Sequence, residues 1–273
     1  MEKKELQSIA NEVRKSIIVG THAAKSGHPG GSLSCADMLT YLYFEEMNVD
    51  PKNPDSPDRD RFVLSKGHSA PALYAVLAEK GFIPKDDIDS LRKPDSYLQG
   101  HPDMKHTPGV DMSAGSLGQG FSTAVGMALA AKMDNKSYRT YAVLGDGEIQ
   151  EGQIWEAAMF AGDRKLDNLV AIVDNNNLQI DGTVEEVCSP YPIDQKFDAF
   201  NFHVIDINGH DFDEIRAALD EAKDIKGKPT VIIMKTVKGK GVSYMEDQVG
   251  WHGKAPDDDL CKQALEELEG GEA

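Results

Sequence analysis

Five short apolar segments rich in β-branched residues constrain the fold more than any other feature of the sequence. They read RFVLS, TYAVLG, NLVAIVD, FHVIDI and PTVIIMK, at residues 61–65, 140–145, 168–174, 202–207 and 229–235. Such segments are typical of buried strands. Stretches with helical periodicity lie between them, at 70–80, 121–133, 154–165 and 213–223. Strands that alternate with helices predict an α/β fold, in which a parallel sheet carries helices on both faces.

The segments outside this alternation add little to the domain organisation. Two helical stretches, 4–25 and 34–47, precede the first strand, and the intervening SGHPGGS predicts a break between them. The 273 residues contain no internal repeat and no long linker, so we expect a single domain over 1–273. Acidic residues dominate from about residue 257 onward, which predicts a solvated helix end.

Charge and composition exclude several classes of function. The sequence has 29 basic and 46 acidic residues, a net charge of −17, which argues against nucleic acid as a partner. Its three cysteines show no C-x-x-C spacing, so neither a disulfide framework nor a zinc site is indicated. No run approaches the roughly 18 apolar residues of a membrane span, and the N-terminus lacks the apolar core of a signal peptide. We therefore expect a cytoplasmic protein that binds no membrane.

The most specific chemical signal is a pair of polar motifs, each placed directly after a strand. Gly145-Asp146-Gly147 follows TYAVL, and an Asn-Asn-Asn run at 175–177 follows NLVAIVD. Because ligands of open α/β sheets bind at the carboxyl ends of strands, Asp146 and one of these asparagines could share a small cation such as Mg²⁺ with a diphosphate. Taken separately, each motif is more often a turn or a polar loop. Their combination favours a ligand site.

Histidines beside glycine or proline form a second signal. Such positions lie in loops, where a neutral imidazole can exchange protons near an anionic ligand. No pair of them has the spacing of a zinc site, so we interpret them as hydrogen-bonding groups. The histidines in these contexts are His28, His68, His101 and His252. The remaining ones, which we expect to be structural or on the surface, are His22, His106, His203 and His210.

The helix that follows the GDG motif is unusually poor in polar residues. Its sequence, EIQEGQIWEAAMFAG, places Glu151 and Glu156 among apolar and small side chains. Two interpretations stay open: the glutamates are solvent-facing charges of an amphipathic helix, or the helix is buried on several sides at a subunit interface.

Taken together, the motifs resemble those of transketolases. SGHPG, LSKGHSAPALY, GHPD, GSLGQG, GDGEIQEGQIWEA, VDNNNLQIDG and WHGKAP occur in that family's order over nearly the whole chain. The sequence is most similar to the separately encoded N-terminal subunit of split transketolases. This resemblance implies the diphosphate-binding domain of a thiamine diphosphate enzyme in the pentose phosphate pathway. The implied reaction moves a two-carbon ketol unit from a ketose phosphate to an aldose phosphate.

The resemblance also implies roles for individual residues. The implied ligands of Mg²⁺ (or Ca²⁺) are Asp146, Asn176 and the backbone carbonyl of Leu178. The residues implied to line the thiamine diphosphate site are His68, Gly115, Leu117, Gly147, Glu151, Asn176 and His252. Of these, Glu151 is implied to belong to the acidic network that links paired active sites. The residues implied to face the substrate as catalytic groups are His28, His101 and His252.

A partner is also implied. In the family, a pyrimidine-binding domain follows this half and supplies the arginines that bind sugar phosphate; this sequence ends at Ala273 and has only Lys238 and Lys240 as local candidates. The expected partner is therefore a C-terminal transketolase subunit, in an α2β2 hetero-oligomer. Related thiamine enzymes, deoxyxylulose-phosphate synthase and the 2-oxoacid dehydrogenase α chain, stay open as alternatives, as does a non-catalytic binding homologue.

Overall fold

A computed structural model describes residues 1–270 and contains a parallel sheet with helices on both faces. The strands are β1 (Arg61–Leu64), β2 (Thr140–Gly145), β3 (Leu169–Asn175), β4 (Leu178–Gln179), β5 (Gly182–Thr183), β6 (His203–Asn208) and β7 (Thr230–Lys235). Five of them form the main sheet in the order β1-β2-β3-β7-β6, and all of these pairs are parallel. The strands β4 and β5 form a small antiparallel pair. The predicted fold class is confirmed.

Ten α-helices accompany these strands within residues 1–270. They are α1 (Lys3–Ala24), α2 (Pro29–Leu33), α3 (Ala36–Tyr41), α4 (Ala70–Lys80), α5 (Gln119–Met133), α6 (Gly152–Asp163), α7 (Val184–Cys188), α8 (Ile193–Ala199), α9 (Phe212–Asp224) and α10 (Asp258–Gly270). A π-helical turn at Leu42–Glu46 extends α3. All five predicted strands are present with their ends within one residue, and the four predicted helices between them lie within two.

Two local expectations need correction. The break predicted over SGHPGGS is confined to residues 25–28, because Pro29 begins the short helix α2, where its fixed φ suits the first helical turn. The C-terminal helix α10 is also more than a solvated end. It packs against α1 and buries Cys261, Ala264 and Leu268, while its acidic side chains face outward. Residues 271–273 of the acidic tail lie outside the described residues.

The sheet separates two hydrophobic clusters because successive side chains of a strand point to opposite faces. In β2, Tyr141 and Val143 join one cluster, whereas Ala142 and Leu144 join the other. The first cluster includes residues of α1, α3, α4, α9 and α10, and the second includes residues of α5, α6 and α8. Both faces of β2, β3 and β7 are therefore buried, as their continuous apolar sequences predict, whereas the edge strand β6 is only partly buried.

The strand register brings four loops to one edge of the sheet. Gly145 pairs with Asp174, and Asp174 pairs in turn with Met234. Because the strands are parallel, the segments that follow β1, β2, β3 and β7 leave the sheet side by side. Within the described residues, no helix has both the length and the apolar character needed to cross a membrane.

A pair of glycines tests the packing on the α5 and α6 side. A Cβ at Gly162 would lie 1.8 Å from the carbonyl oxygen of Phe200, whereas a Cβ at Gly126 would meet nothing within 4 Å. We expect Gly162→Ala to lower the free energy of unfolding by about 1–3 kcal/mol through overpacking. We expect the control Gly126→Ala to raise it by up to about 1 kcal/mol, because alanine favours the helix interior. Urea unfolding of both variants checks this. Equal free energies of unfolding for the two variants would contradict the close packing of Gly162 against Phe200.

Candidate active site

A cavity of about 370 Å³ opens at this edge of the sheet. Ligand sites of open α/β folds occupy this position, beyond the carboxyl ends of the strands. The loops after β1, β2, β3 and β7 all contribute to its walls. The lining residues expected from the sequence are His68, Gly115, Leu117, Asp146, Gly147, Glu151, Asn176, Leu178 and His252. Lining residues that the motifs did not single out include Gly31, Lys66, Glu148, Gln179 and Ile180.

A buried ion pair lies beneath the cavity. Asp174 in β3 is fully buried and accepts a hydrogen bond from the Lys66 ammonium group, which also donates to the Gly31 carbonyl at 2.7 Å. Ser34 Oγ donates to the same carboxylate at 2.5 Å, and Thr236 Oγ1 donates to its other oxygen. Burial alone would raise the pKa of Asp174, but the Lys66 charge and these donors hold it below its ordinary value. The pair is therefore charged.

The three oxygen groups implied as metal ligands line the same cavity. Asp146 Oδ1 accepts from Gly147 N at 2.8 Å, and its Oδ2 accepts from Asn177 N at 2.5 Å. The Asn176 amide nitrogen donates to Asp174 at 3.2 Å, which fixes the orientation of the amide and leaves Oδ1 as its acceptor end. Burial, together with the negative charge of Asp174, raises the pKa of Asp146 to about 7.

The candidate metal ligands are oxygen atoms of three different kinds. Within residues 1–270, no group of three or more His, Cys, Asp or Glu side chains is arranged to hold a metal. The candidate set instead combines one carboxylate, one amide oxygen and one backbone carbonyl. Oxygen donors of these kinds suit Mg²⁺ or Ca²⁺ and not zinc.

Three of the four predicted histidines form a cluster of rings. The ring centroids of His28 and His68 are 5.3 Å apart, those of His28 and His252 are 5.5 Å apart, and those of His68 and His252 are 5.2 Å apart. Burial lowers the pKa of His28 to about 4, with a further contribution from Arg92. Burial and Lys238 lower the pKa of His252 to about 3, and burial and Lys66 lower that of His68. All three imidazoles are therefore neutral at pH 7.

Lys238 determines which ring nitrogen of His252 carries the proton. Its ammonium group lies 2.9 Å from His252 Nδ1 and donates to the Leu178 carbonyl at 2.8 Å. An ammonium group can only donate, so Nδ1 of His252 is an acceptor and its proton is on Nε2. Burial and the nearby Lys66 lower the pKa of Lys238 to about 8. Lys240, the other lysine considered from the sequence, pairs with Glu246 at 3.4 Å instead.

His101 lies beside the cavity, next to an arginine that the sequence motifs did not reveal. A Cβ on Gly115 would be 3.5 Å from His101 Cγ, so the two are in contact distance. Arg92 donates to Ser26 Oγ at 3.2 Å and to the Gly100 carbonyl at 3.4 Å, just before His28 and His101 in the chain. A Cβ at Gly100 would lie 2.7 Å from Arg92 Cζ, so the guanidinium group packs directly against this glycine.

Apolar side chains are exposed at the mouth of the cavity and on α6. Leu117 is 36% exposed and Ile180 is 63% exposed. On α6, Met159 and Phe160 are exposed, as is Glu156. In the chain by itself only the face carrying residues such as Ile154 is covered, so burial of α6 on several sides, one of the two interpretations left open by the sequence, requires a partner. Adjacent exposed apolar residues are typical of an interaction surface.

Comparison with known proteins decides the family. The family model described as the thiamine diphosphate binding domain of transketolase matches residues 6–270. The chain belongs to the transketolase family. The resemblance drawn from the sequence is thereby confirmed, including its interpretation as a subunit of a thiamine diphosphate-dependent transketolase.

Individual relatives show how much of a transketolase the chain represents. It is 49% identical to the 6-deoxy-6-sulfo-D-fructose transketolase subunit SqwG of Clostridium sp. (strain MSTE9), over 97% of this chain and 96% of the relative. It is 46% identical to an apulose-4-phosphate transketolase subunit of Phocaeicola vulgatus, over 98% and 94%. Mouse transketolase is 45% identical over 96% of this chain, but the match spans only 42% of that protein.

The chain also covers less than half of a transketolase of known structure. The crystal structure of Campylobacter jejuni transketolase superimposes with a TM-score of 0.92 at 37% identity, covering 98% of this chain and 43% of that one. The chain thus spans less than half the length of the transketolases of known structure that it matches, and nearly the full length of the relatives named as subunits.

The buried pair offers a test of the framework below the cavity. Asp174→Asn leaves the Lys66 ammonium group buried without its counter-charge, so we expect the free energy of unfolding to fall by about 3–5 kcal/mol. Asp58→Asn, which breaks the exposed pair with Lys136, is the control and should leave the free energy of unfolding almost unchanged. Urea unfolding compares the two. Similar small losses of stability in both variants would mean that the Lys66 ammonium group is not buried beside Asp174.

Proposed function

We propose that this chain binds thiamine diphosphate (ThDP) with a divalent cation and catalyses ketol transfer between sugar phosphates together with a second subunit. One observation carries the proposal: three oxygen donors, two ammonium groups and three neutral histidines line or border one cavity. This combination matches a diphosphate, its metal ion and a reaction that needs proton transfer. The relatives named as subunits act on a sulfosugar and a sugar phosphate, which supports anionic sugars as the substrate class.

The residues present fit a bound Mg²⁺ or Ca²⁺. Asp146, Asn176 and the Leu178 carbonyl supply only oxygen, and diphosphate oxygens would complete such a shell. The fit is also electrostatic. Asp146 and Asp174 repel one another in a buried setting, and this repulsion contributes to the raised pKa of Asp146. A cation at the Asp146 carboxylate would favour its ionised form.

The cavity also fits a diphosphate. Lys66 and Lys238 place two buried ammonium groups on its wall, although the net charge of the chain is strongly negative. Gly31 and Gly147 border it, and added Cβ atoms would lie 3.3 Å from Ser69 Oγ and 3.2 Å from Gln179 Cβ. Glycine at both positions lets a phosphate approach the backbone closely. Lys238, a candidate for the sugar phosphate on sequence grounds, is buried here, which favours the cofactor diphosphate as its ligand.

The histidines would handle protons and orient the substrate. When bound, ThDP supplies the carbanion nucleophile of the reaction, and the protein supplies position and electrostatics. His252 presents an Nε2–H donor because Lys238 occupies its Nδ1. His28 Nδ1 is buried and has no hydrogen-bond partner, so a ligand hydroxyl or water would satisfy it. Neutral His28 and His101 can accept a substrate proton and return it.

A second polypeptide would complete the site. Leu117 and Ile180 expose apolar surface at the cavity mouth, where another chain would cover them. Relatives named as subunits have almost the same length as this chain, whereas mouse transketolase is more than twice as long. We infer a C-terminal transketolase subunit that carries the pyrimidine-binding domain and the sugar-phosphate arginines. The exposed Met159 and Phe160 on α6 support pairing of two such heterodimers into an α2β2 assembly.

The setting proposed from the sequence is the cytoplasm. All three cysteines are free, and Cys35 and Cys261 are buried as thiols. Free thiols persist most readily in a reducing compartment.

Reconstitution tests the partner. We expect the chain alone to give no ketol transfer from xylulose 5-phosphate to ribose 5-phosphate, and the mixture with a C-terminal subunit to give turnover that needs both ThDP and Mg²⁺. Sedimentation of the active mixture should give the mass of two copies of each chain. Turnover by this chain alone, or an active complex of another stoichiometry, would contradict the proposed assembly.

The metal site has its own test. In the reconstituted complex, Asp146→Asn weakens the charge that holds the cation, and we expect ThDP affinity in Mg²⁺ to fall by at least about a hundredfold. Glu266→Gln changes an exposed carboxylate on α10 and is the matched control. Titration calorimetry with ThDP measures both. Unchanged affinity in Asp146→Asn would exclude that residue as the metal ligand.

A further inference from the structure

Glu148 is a buried carboxylate to which the proposed function gives no role. It begins the short turn Glu148–Gln150 directly after Gly147, and it is 2% exposed. Burying a carboxylate costs free energy unless hydrogen-bond donors surround it. Burial raises the pKa of Glu148, while its hydrogen bonds and the Lys66 charge act in the opposite direction.

Donors reach this carboxylate from three separate parts of the chain. Ser65 Oγ donates to Oε1 at 2.5 Å, and the backbone N–H of Gly118 donates to the same oxygen at 2.9 Å. The backbone N–H of Gly145 donates to Oε2 at 3.0 Å. Both oxygens are therefore engaged, and the donors belong to three segments: the loop after β1, the loop before α5 and the end of β2.

Each of these loops carries part of the cavity wall. Ser65 directly precedes Lys66, Gly118 directly follows Leu117, and Gly145 directly precedes Asp146. One carboxylate thus joins the loop after β1, the loop before α5 and the loop after β2. A shift of Glu148 would change the spacing of all three relative to one another.

Close packing around the Glu148 carboxylate restricts the loops that it joins. Ser65 Oγ also accepts from the backbone N–H of Phe121 at 3.0 Å, which fixes the beginning of α5 to the same point. A Cβ at Gly120 would lie 2.7 Å from Ser65 Cα. Gly118 has φ +83°, a left-handed conformation that favours glycine, and this conformation lets its N–H face Glu148.

We propose that Glu148 is a positioning residue for the ThDP site: its carboxylate sets the spacing of the three loops that supply Lys66, Leu117 and Asp146. The inference rests on the proposed function, since it assigns Glu148 to the binding of that cofactor. A carboxylate is required because it accepts at both oxygens. Glutamine has one acceptor oxygen, and its NH₂ group would face a backbone donor.

The test is Glu148→Gln in the complex with the partner subunit. Asp60→Asn is the matched control, because Asp60 is also a buried carboxylate that accepts two backbone N–H groups, from Asn48 at 2.8 Å and Arg139 at 2.7 Å. It lies at the opposite edge of the sheet, before β1 and β2. Three quantities are measured: the melting temperature without ThDP, the ThDP dissociation constant in saturating Mg²⁺, and kcat at saturating ThDP.

We expect both variants to melt at lower temperature, but only Glu148→Gln to bind ThDP more weakly, by about ten- to a hundredfold. Its kcat should recover at saturating ThDP, because both oxygens of Glu148 are already engaged by donors of this chain. Ser65→Ala removes one donor and leaves the carboxylate, so it serves if Glu148→Gln fails to fold; a several-fold weaker ThDP affinity is expected there.

Three results would overturn the inference. ThDP affinity unchanged in Glu148→Gln, or in Ser65→Ala where that variant replaces it, would remove Glu148 from the site while leaving the proposed function intact. An equal loss of affinity in Asp60→Asn would mean that general stability, and not loop spacing, sets the affinity. An unmodified complex that binds no ThDP would overturn both the inference and the proposed function.

Discussion

The buried ion pair of Lys66 and Asp174 is the interaction on which the rest of the site depends. It joins the loop after β1 to the end of β3, and through Ser34 and Thr236 it also reaches the segments beside α2 and after β7. Buried charges of this kind are weak evidence for stability, because desolvation offsets most of the attraction. Their effect here is geometric: Asp174 orients the Asn176 amide, and Lys66 places a positive charge under the cavity.

The architecture explains why such an arrangement forms at this edge of the sheet. Parallel strands that are buried on both faces leave their polar chemistry to the loops at their carboxyl ends, and four of those loops meet here. The neutral histidines follow from the same placement. Burial and the ammonium groups of Lys66 and Lys238 keep His68 and His252 uncharged, which leaves them free to donate or accept single protons.

Local patterns in the sequence predicted the fold well, because buried parallel strands and glycine-bounded loops have strong signatures. The convergence of Asp146 and Asn176 at one edge of the sheet also followed from their positions after two strands, whereas that of the loop histidines was implied by the family resemblance. The hydrogen-bond networks around the buried carboxylates of Asp174 and Glu148 could not be predicted. In the sequence, a carboxylate at a strand end or after a glycine looks the same whether it faces solvent or three hydrogen-bond donors.

Arg92 was missed for a similar reason: its contact with Gly100 depends on loop packing and not on a motif. The sequence left open whether the side of α6 that carries Met159 and Phe160 is covered, because an apolar helix sequence does not specify which neighbour covers it.

The most direct test is a crystal structure of this chain in complex with its partner subunit, ThDP and Mg²⁺. We expect one metal ion with oxygens of Asp146, Asn176 and the Leu178 carbonyl all at about 2.1 Å, and the diphosphate next to His68 and Lys238. A metal ion held by other residues, or ThDP bound in a different cavity, would contradict the assignment of this edge of the sheet as the catalytic half-site.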